Sequence, residues 1–279
     1  STNLLLHLLN TFLVFLFVSA LLKNELVALI SAGIFALHPM HVESVSWISE
    51  RKDQLYTLFY LTSLIQYLKY KSLSKMKNLL LCGGSFVLSL LSKSMAVTLP
   101  LMLFAIDFYQ KPYFTSRSLL FKVPFFGLSI LFGIIALKSQ STGNTFYELH
   151  LNYSIFERAS MLCYSVVFYL FKFLFPVNLS VYHFYPHEVG LLPKICPLII
   201  TVISWQLWKI RKSEVGKITL LGFVIFIISL LPVLQLIPVG RAFASDRYTY
   251  VAYIGLALPV AFLLSSSLSH PRFKLMPLS

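Results

Sequence analysis

Ten apolar segments follow one another along the chain, at about 4–22, 26–37, 55–67, 79–91, 95–108, 119–137, 161–175, 191–208, 218–239 and 248–267, with short polar connections between them. Runs close to the ~20 residues that cross a bilayer leave little freedom, because a spanning backbone must satisfy its own hydrogen bonds as a helix or a closed barrel. These runs do not alternate apolar and polar residues as barrel strands do, so the expected fold is an all-α polytopic membrane protein. A mean hydropathy of +0.78 and a charged fraction of 12% agree with this, since a soluble domain carries roughly 25% charge. One transmembrane domain is expected over 1–270, with a short basic tail at 271–279. No internal repeat stands out.

The net charge of +13 would suggest nucleic acid in a soluble protein. In a membrane protein the cations are first sorted by side, and no nucleic-acid partner is expected. Lys69, Lys71, Lys75 and Lys77 form one basic connection, Lys111, Arg117 and Lys122 a second, and Lys209, Arg211, Lys212 and Lys217 a third. The positive-inside rule makes these cytoplasmic, with Lys23, Arg272 and Lys274 on the same side. Seven of the ten acids (Glu43, Glu50, Asp53, Glu148, Glu157, Glu188 and Asp246) then fall on the outer side.

Lys122 and Lys209 share a side only if an even number of crossings lies between them, yet three apolar runs do. The stretch 156–175 carries Glu157, Arg158 and Lys172. It is therefore assigned as an amphipathic or re-entrant helix on the outer face, within an outer loop at 138–190, which leaves about nine spans. Tyr147, Tyr153, Tyr182 and Tyr185 of that loop suit headgroup depth. Asn152 and Asn178 open Asn-X-Ser triplets, too common to carry weight. Cys82, Cys163 and Cys196 sit in apolar runs without metal or disulfide spacing and read as core filler. The chain opens Ser-Thr-Asn without Met or a charged leader, so a preceding segment is expected.

The outer face then collects the stretch 38–53, Lys93, His150, His183, His187 and the run 241–250. Charged groups at a membrane boundary are costly unless paired or wet, and a shared cavity follows. Three readings compete for His38, His41 and Glu43. They orient an acceptor hydroxyl or take its proton, tasks that suit imidazole and carboxylate pKa values. They cap and pair locally where Pro39 ends a helix. A divalent metal is the disfavoured third, because the spacing matches no zinc signature and Pro39 breaks the helix. Lys93 either snorkels to the interface or meets an anion such as phosphate. Asp246, Arg247 and Tyr248 either open the last helix or hold a lipid-linked phosphate, Arg247 through two parallel hydrogen bonds with Asp246 orienting it. Glu50, Arg51, Lys52 and Asp53 suit a solvated helix start, and Arg51 and Asp53 are candidate supports of the site.

Three motifs in order carry a family resemblance: Phe35-Ala-Leu-His-Pro-Met-His-Val-Glu-Ser-Val-Ser-Trp-Ile-Ser-Glu-Arg-Lys-Asp53, then Leu91-Ser-Lys-Ser-Met-Ala-Val-Thr-Leu-Pro100 with Asp107, then Ser245-Asp-Arg-Tyr-Thr-Tyr250 with Ile254-Gly255. They resemble the membrane half of the transmembrane and tetratricopeptide-repeat (TMTC-type) O-mannosyltransferases and their bacterial relatives, of the GT-C glycosyltransferase superfamily. The resemblance implies a GT-C-like helical bundle that inverts a mannose-like sugar from a polyprenyl-phosphate carrier onto a protein or glycan hydroxyl. Membrane lipids are the other implied partners.

In that reading His38, His41 and Glu43 act on the acceptor side, with Glu43 the reserve base. Lys93, Asp246, Arg247 and Tyr248 take the lipid phosphate, and no cofactor is required. The implied home is a bacterial inner membrane, or an endoplasmic reticulum in a eukaryote, with the site facing periplasm or lumen. Two departures bear on it. The family places its catalytic acid in a first outer loop, whereas this chain opens at what resembles the second span, marked by Asn3 and His7. The tetratricopeptide repeats are also missing after 267. A lipid-carrier-binding subunit or pseudoenzyme is therefore the second expectation and a transporter the third, although no inverted halves are visible. With this orientation a Lys71→Cys thiol is expected to react with a membrane-impermeant maleimide only from the cytoplasmic side, and outside labelling would overturn the topology.

Overall fold

The computed structural model describes residues 2–110, 119–141, 153–186, 189–234 and 242–268. Each of the ten apolar segments falls on a helix. They are α1 (Thr2–Leu22), α2 (Glu25–Leu37), α4 (Arg51–Leu73), α5 (Met76–Ser92), α6 (Leu99–Gln110), α7 (Val123–Ser141), α8 (Ile155–Leu174), α9 (Leu191–Ile210), α10 (Glu214–Leu230) and α11 (Thr249–Leu268). A five-residue helix, α3 (Val42–Ser46), and a two-stranded antiparallel ribbon of β1 (His183–Phe184) and β2 (Ala242–Ala244) complete the set. Lys111, Arg117, Tyr147, Glu148, His150, Asn152, His187, Glu188, Arg241, Arg272 and Lys274 lie outside the described residues, as does the tail.

Local chemistry sets the turns. Lys23 takes a left-handed conformation (φ 54°) after α1, and Asn24 caps α2 by accepting from the Val27 amide at 3.1 Å. Pro39 disfavours helix at the residue before it, so His38 is extended (φ −67°, ψ 124°) and the chain bends by 56° between α2 and the segment Pro39–Ser46. Ser74, also left-handed (φ 54°), turns α4 into α5. Ser154 and Glu157 form a reciprocal capping box that starts α8.

Among the described residues, four helical stretches are long and apolar enough to cross a membrane: Thr2–Leu22, Leu191–Ile210, Glu214–Val233 and Asp246–Leu268. The bent pair Glu25–Leu37 with Pro39–Ser46 makes a fifth if it is one span, and α5, the stretch Ser94–Gln110 and Val123–Ser139 are apolar but shorter. By length and composition the protein is thus an all-helical membrane protein with four or five such helices, where the apolar runs alone suggest about nine. The difference comes from short segments and from charge. α4 holds Arg51, Lys52, Asp53, Lys69 and Lys71, and α8 holds Glu157, Arg158 and Lys172.

The two ends of the bundle differ in chemistry. Asp53 and Lys71 lie at opposite ends of α4, about 27 Å apart at a helical rise of roughly 1.5 Å per residue. At the Lys71 end Asp107 accepts from Lys71 Nζ at 2.7 Å, Lys122 Nζ at 2.6 Å and the Tyr67 hydroxyl at 2.9 Å. Two cations assigned to solvated connections are therefore drawn onto a buried acid. Asn3 of α1 donates to the Trp47 carbonyl, which places the start of α1 at the Asp53 end and the Lys23 turn at the other.

α10 and α11 meet at glycine. A Cβ on Gly222 would lie 2.3 Å from the Gly255 carbonyl oxygen, and one on Gly255 would lie 2.3 Å from that of Gly222. Small residues allow such backbone approach, which drives helix association where lipid removes the hydrophobic incentive. Gly255→Ala is expected to force these helices apart and to lower stability by about 1–3 kcal/mol. Thermal unfolding in detergent checks this, and an unchanged midpoint would show that the contact contributes nothing.

Candidate functional site

The bend after α2 brings α3 and the start of α4 against the turn Asp246–Tyr248 that opens α11. Glu43, in the first turn of α3, accepts from Arg247 twice: from Nη1 at 2.7 Å on Oε1, and from the main-chain amide at 3.0 Å on Oε2. Residues 204 positions apart are thereby joined. Arg247 Nε also faces Glu50 Oε1 at 3.8 Å, and the rings of Trp47, Tyr182 and Tyr248 surround the guanidinium at 5.8, 5.1 and 5.3 Å. Glu43 feels opposing influences, and its burial prevails, raising its pKa against the pull of Arg247.

Lys93 follows α5 and reaches Asp53 at ion-pair distance, with its ammonium 5.7 Å from the Tyr248 ring centre. Tyr248 thus has two cations near its ring, Lys93 and Arg247. Burial and the nearby Arg247 both lower the Lys93 pKa, while Asp53 counters them.

Other expected members turn elsewhere. Asp246 faces away from its neighbour, accepting from the Ser180 amide at 2.7 Å and pairing with His183 Nε2 at 3.1 Å, so it ties the segment before β1 to α11. Arg51 Nε reaches Asn3 Oδ1 at 3.3 Å and supports α1 rather than the cluster. His38 uses both ring nitrogens: Nδ1 accepts from the Met40 amide at 3.3 Å and Nε2–H donates to the Phe173 carbonyl at 3.1 Å. His41 is 2% exposed, donates from Nδ1 to the Phe35 carbonyl at 2.8 Å and sits among the rings of Phe35, Tyr250 and Tyr253. Burial takes its pKa down to about 3. A neutral imidazole so weakly basic gains no proton near neutral pH. His7 continues this layer, with Nδ1 2.8 Å from the Tyr250 hydroxyl and Nε2 3.1 Å from the Ala36 carbonyl. Among the described residues no group of three or more His, Cys, Asp and Glu is gathered as a metal would need.

Glu50 is the member that sequence reasoning underrated. It reads as a solvated helix start, yet it is 2% exposed, between Arg247 and Lys52. Trp47 and Tyr182, which enclose Arg247, carried no signal beyond being aromatic residues at membrane-boundary depth.

Fold and cluster together define an integral membrane protein of α-helices with a buried acid–cation cluster at one end. Among curated proteins, the chain is similar to protein O-mannosyl-transferase Tmtc1 of Drosophila melanogaster, at 31% identity over 96 residues. The match covers 34% of this chain and 11% of the fly protein. No family model matches the chain, and no solved structure does.

His41 generates a pH prediction. Its folded pKa lies below the unfolded value of 6.5, so only the unfolded chain takes up the proton as pH falls. Stability is full above pH 6.5 and declines toward pH 3, with a loss of about 2 kcal/mol between pH 7 and pH 5. Unfolding midpoints across that range are expected to fall less steeply for His41→Asn than for the natural protein.

Proposed function

We propose that this chain forms part of a membrane glycosyltransferase of the TMTC-like kind. It would move a mannose-like sugar from a polyprenyl-phosphate carrier to a protein or glycan hydroxyl on the acid-rich face, the periplasmic or lumenal side. The observation that carries the reading is the pair of partly buried cations, Lys93 and Arg247, at 5.7 and 5.3 Å from one Tyr248 ring. Each is held by an acid, Lys93 by Asp53 and Arg247 by Glu43, and a phosphate entering between them would exchange part of those pairs for charge-assisted contacts of its own. As the glycosidic bond to phosphate breaks, the same cations stabilise the charge left on the departing oxygen.

Arg247 is always charged and suits a planar phosphate contact, and Glu43 holds it in place from both side chain and main chain. The similarity to a protein named for O-mannosyl transfer supports the same reaction class. In this reading the shorter apolar helices complete the crossings of a GT-C-like bundle over 1–270, and α8 lies along the outer face. His38 and His41 line the wall behind the acceptor side.

A second reading, a lipid-carrier-binding subunit without transfer, is favoured by one observation: both Glu43 oxygens are committed to Arg247, which leaves the reserve base occupied. A transfer assay on the full-length protein, with polyprenyl-phosphate mannose and a peptide acceptor, separates the two. Arg247→Ala and Lys93→Ala are each expected to reduce transfer by about a hundredfold or more, while Lys217→Ala at the opposite end leaves it unchanged. Full transfer in both site variants would remove the phosphate assignment, and no transfer by the natural protein together with tight carrier binding would favour the binding subunit.

A further inference from the structure

Glu50 and Asp53 form a second polar centre beneath the two cations. Each residue is 2% exposed. Glu50 Oε1 faces Arg247 and Lys52, and Asp53 Oδ1 faces Lys93. The remaining oxygens, Glu50 Oε2 and Asp53 Oδ2, are buried and meet no donor among the described residues. The two carboxyls stand three residues apart at the start of α4, where positions i and i+3 are neighbours. Ionised carboxylates only accept hydrogen bonds, so these two oxygens remain orphaned unless one carries a proton, and an orphaned buried acceptor bears its full desolvation penalty.

Charge counting leads to the same place. Ionised Glu43, Glu50 and Asp53 set three negative charges against Lys93, Arg247 and Lys52. Lys52 is half exposed at 3.5 Å from Glu50 and is screened by solvent. Against the two enclosed cations, one proton on the pair balances two with two. The other ionisable groups facing the pair are Lys52, half exposed at its edge, and the phenols of Tyr56, Tyr248 and Tyr250. None of these phenols is charged near neutral pH.

We propose that Glu50 and Asp53 share one proton, and that this buried pair is a positioning device that ties the affinity of the Lys93–Arg247 site for a lipid-linked phosphate anion to pH. The coupling rests on the phosphate reading above. A phosphate that draws Lys93 toward itself loosens its contact with Asp53. The pair then takes a second proton from a buffer acid, whose own O–H or N–H bond breaks as the carboxyl O–H forms; the pair becomes neutral, and binding tightens as pH falls. Related sites in which carboxylates share a proton follow the same logic of like charges that cannot both ionise.

The test uses the full-length protein in detergent. Titration calorimetry with a short-chain polyprenyl phosphate, in two buffers of different ionisation enthalpy, is expected to show proton uptake on binding. Affinity should rise by up to about tenfold per unit fall in pH. Glu50→Gln, whose amide donates to Asp53 without titrating, should bind with no uptake and a flat pH profile, and inorganic phosphate with the same uptake would assign the coupling to the phosphate rather than the lipid tail. Phosphate binding by the natural protein without proton uptake, or equal uptake in Glu50→Gln, overturns the coupling. Infrared spectroscopy of the resting protein reads the proton directly: a buried carboxylic-acid C=O band should disappear in Glu50→Gln and in Asp53→Asn and persist in Glu25→Gln. Absence of that band in the natural protein overturns the shared proton. If the band behaves as expected but no phosphate binds, the phosphate reading fails and the proton-sharing pair stands.

Discussion

The contact between Glu43 and Arg247 is the interaction on which the organised end of the molecule depends. It joins the segment after the α2 bend to the turn that opens α11, and it does so through both the guanidinium and the main-chain amide. A buried arginine without its partner would be an uncompensated charge, and such losses are typically several kcal/mol. Because Arg247 is held, its aromatic enclosure by Trp47, Tyr182 and Tyr248 is defined as well. Lys93, held by Asp53, comes within 5.7 Å of the same Tyr248 ring. The chemistry proposed for this end, two acid-held cations that a phosphate could bridge, follows from these two ion pairs meeting at one ring.

The two ends of the bundle treat buried charge differently. At the far end a single acid, Asp107, is saturated by Lys71, Lys122 and Tyr67, which is how a structural ion cluster compensates its desolvation. At the near end Glu50 and Asp53 keep buried oxygens without donors. That asymmetry distinguishes a cluster whose hydrogen bonds are met from one that has room to exchange protons. The Gly222–Gly255 approach lies between the two levels, setting α10 against α11 and so fixing where the Asp246–Tyr248 turn emerges.

Much of this was legible before any coordinates. Apolar runs placed all ten long helices, because helix is the backbone form that satisfies itself in lipid. The density of charge at 38–53 and 245–250 marked the residues that meet at the site. Roles were harder to read, since they depend on which side chain faces which neighbour across the bundle. Asp246 and Arg247 are adjacent in sequence and turn opposite ways, one to His183 and the other to Glu43. His38 and His41 look like acid–base residues, yet both ring nitrogens of His38 bond to backbone groups of Met40 and Phe173, and Nδ1 of His41 bonds to the Phe35 carbonyl.

Hydropathy and residue spacing by themselves determined the class of protein, its helical segments and the polar stretches that gather at one end, because these follow from transfer free energies and backbone hydrogen bonding along the chain. Tertiary structure alone decided that Glu50 is buried, that Arg247 is clamped rather than free, and that Lys71 and Lys122 converge on Asp107. Those outcomes depend on distances between residues remote in sequence, and the burial of Glu50 and Asp53 exists only once the helices have packed around them.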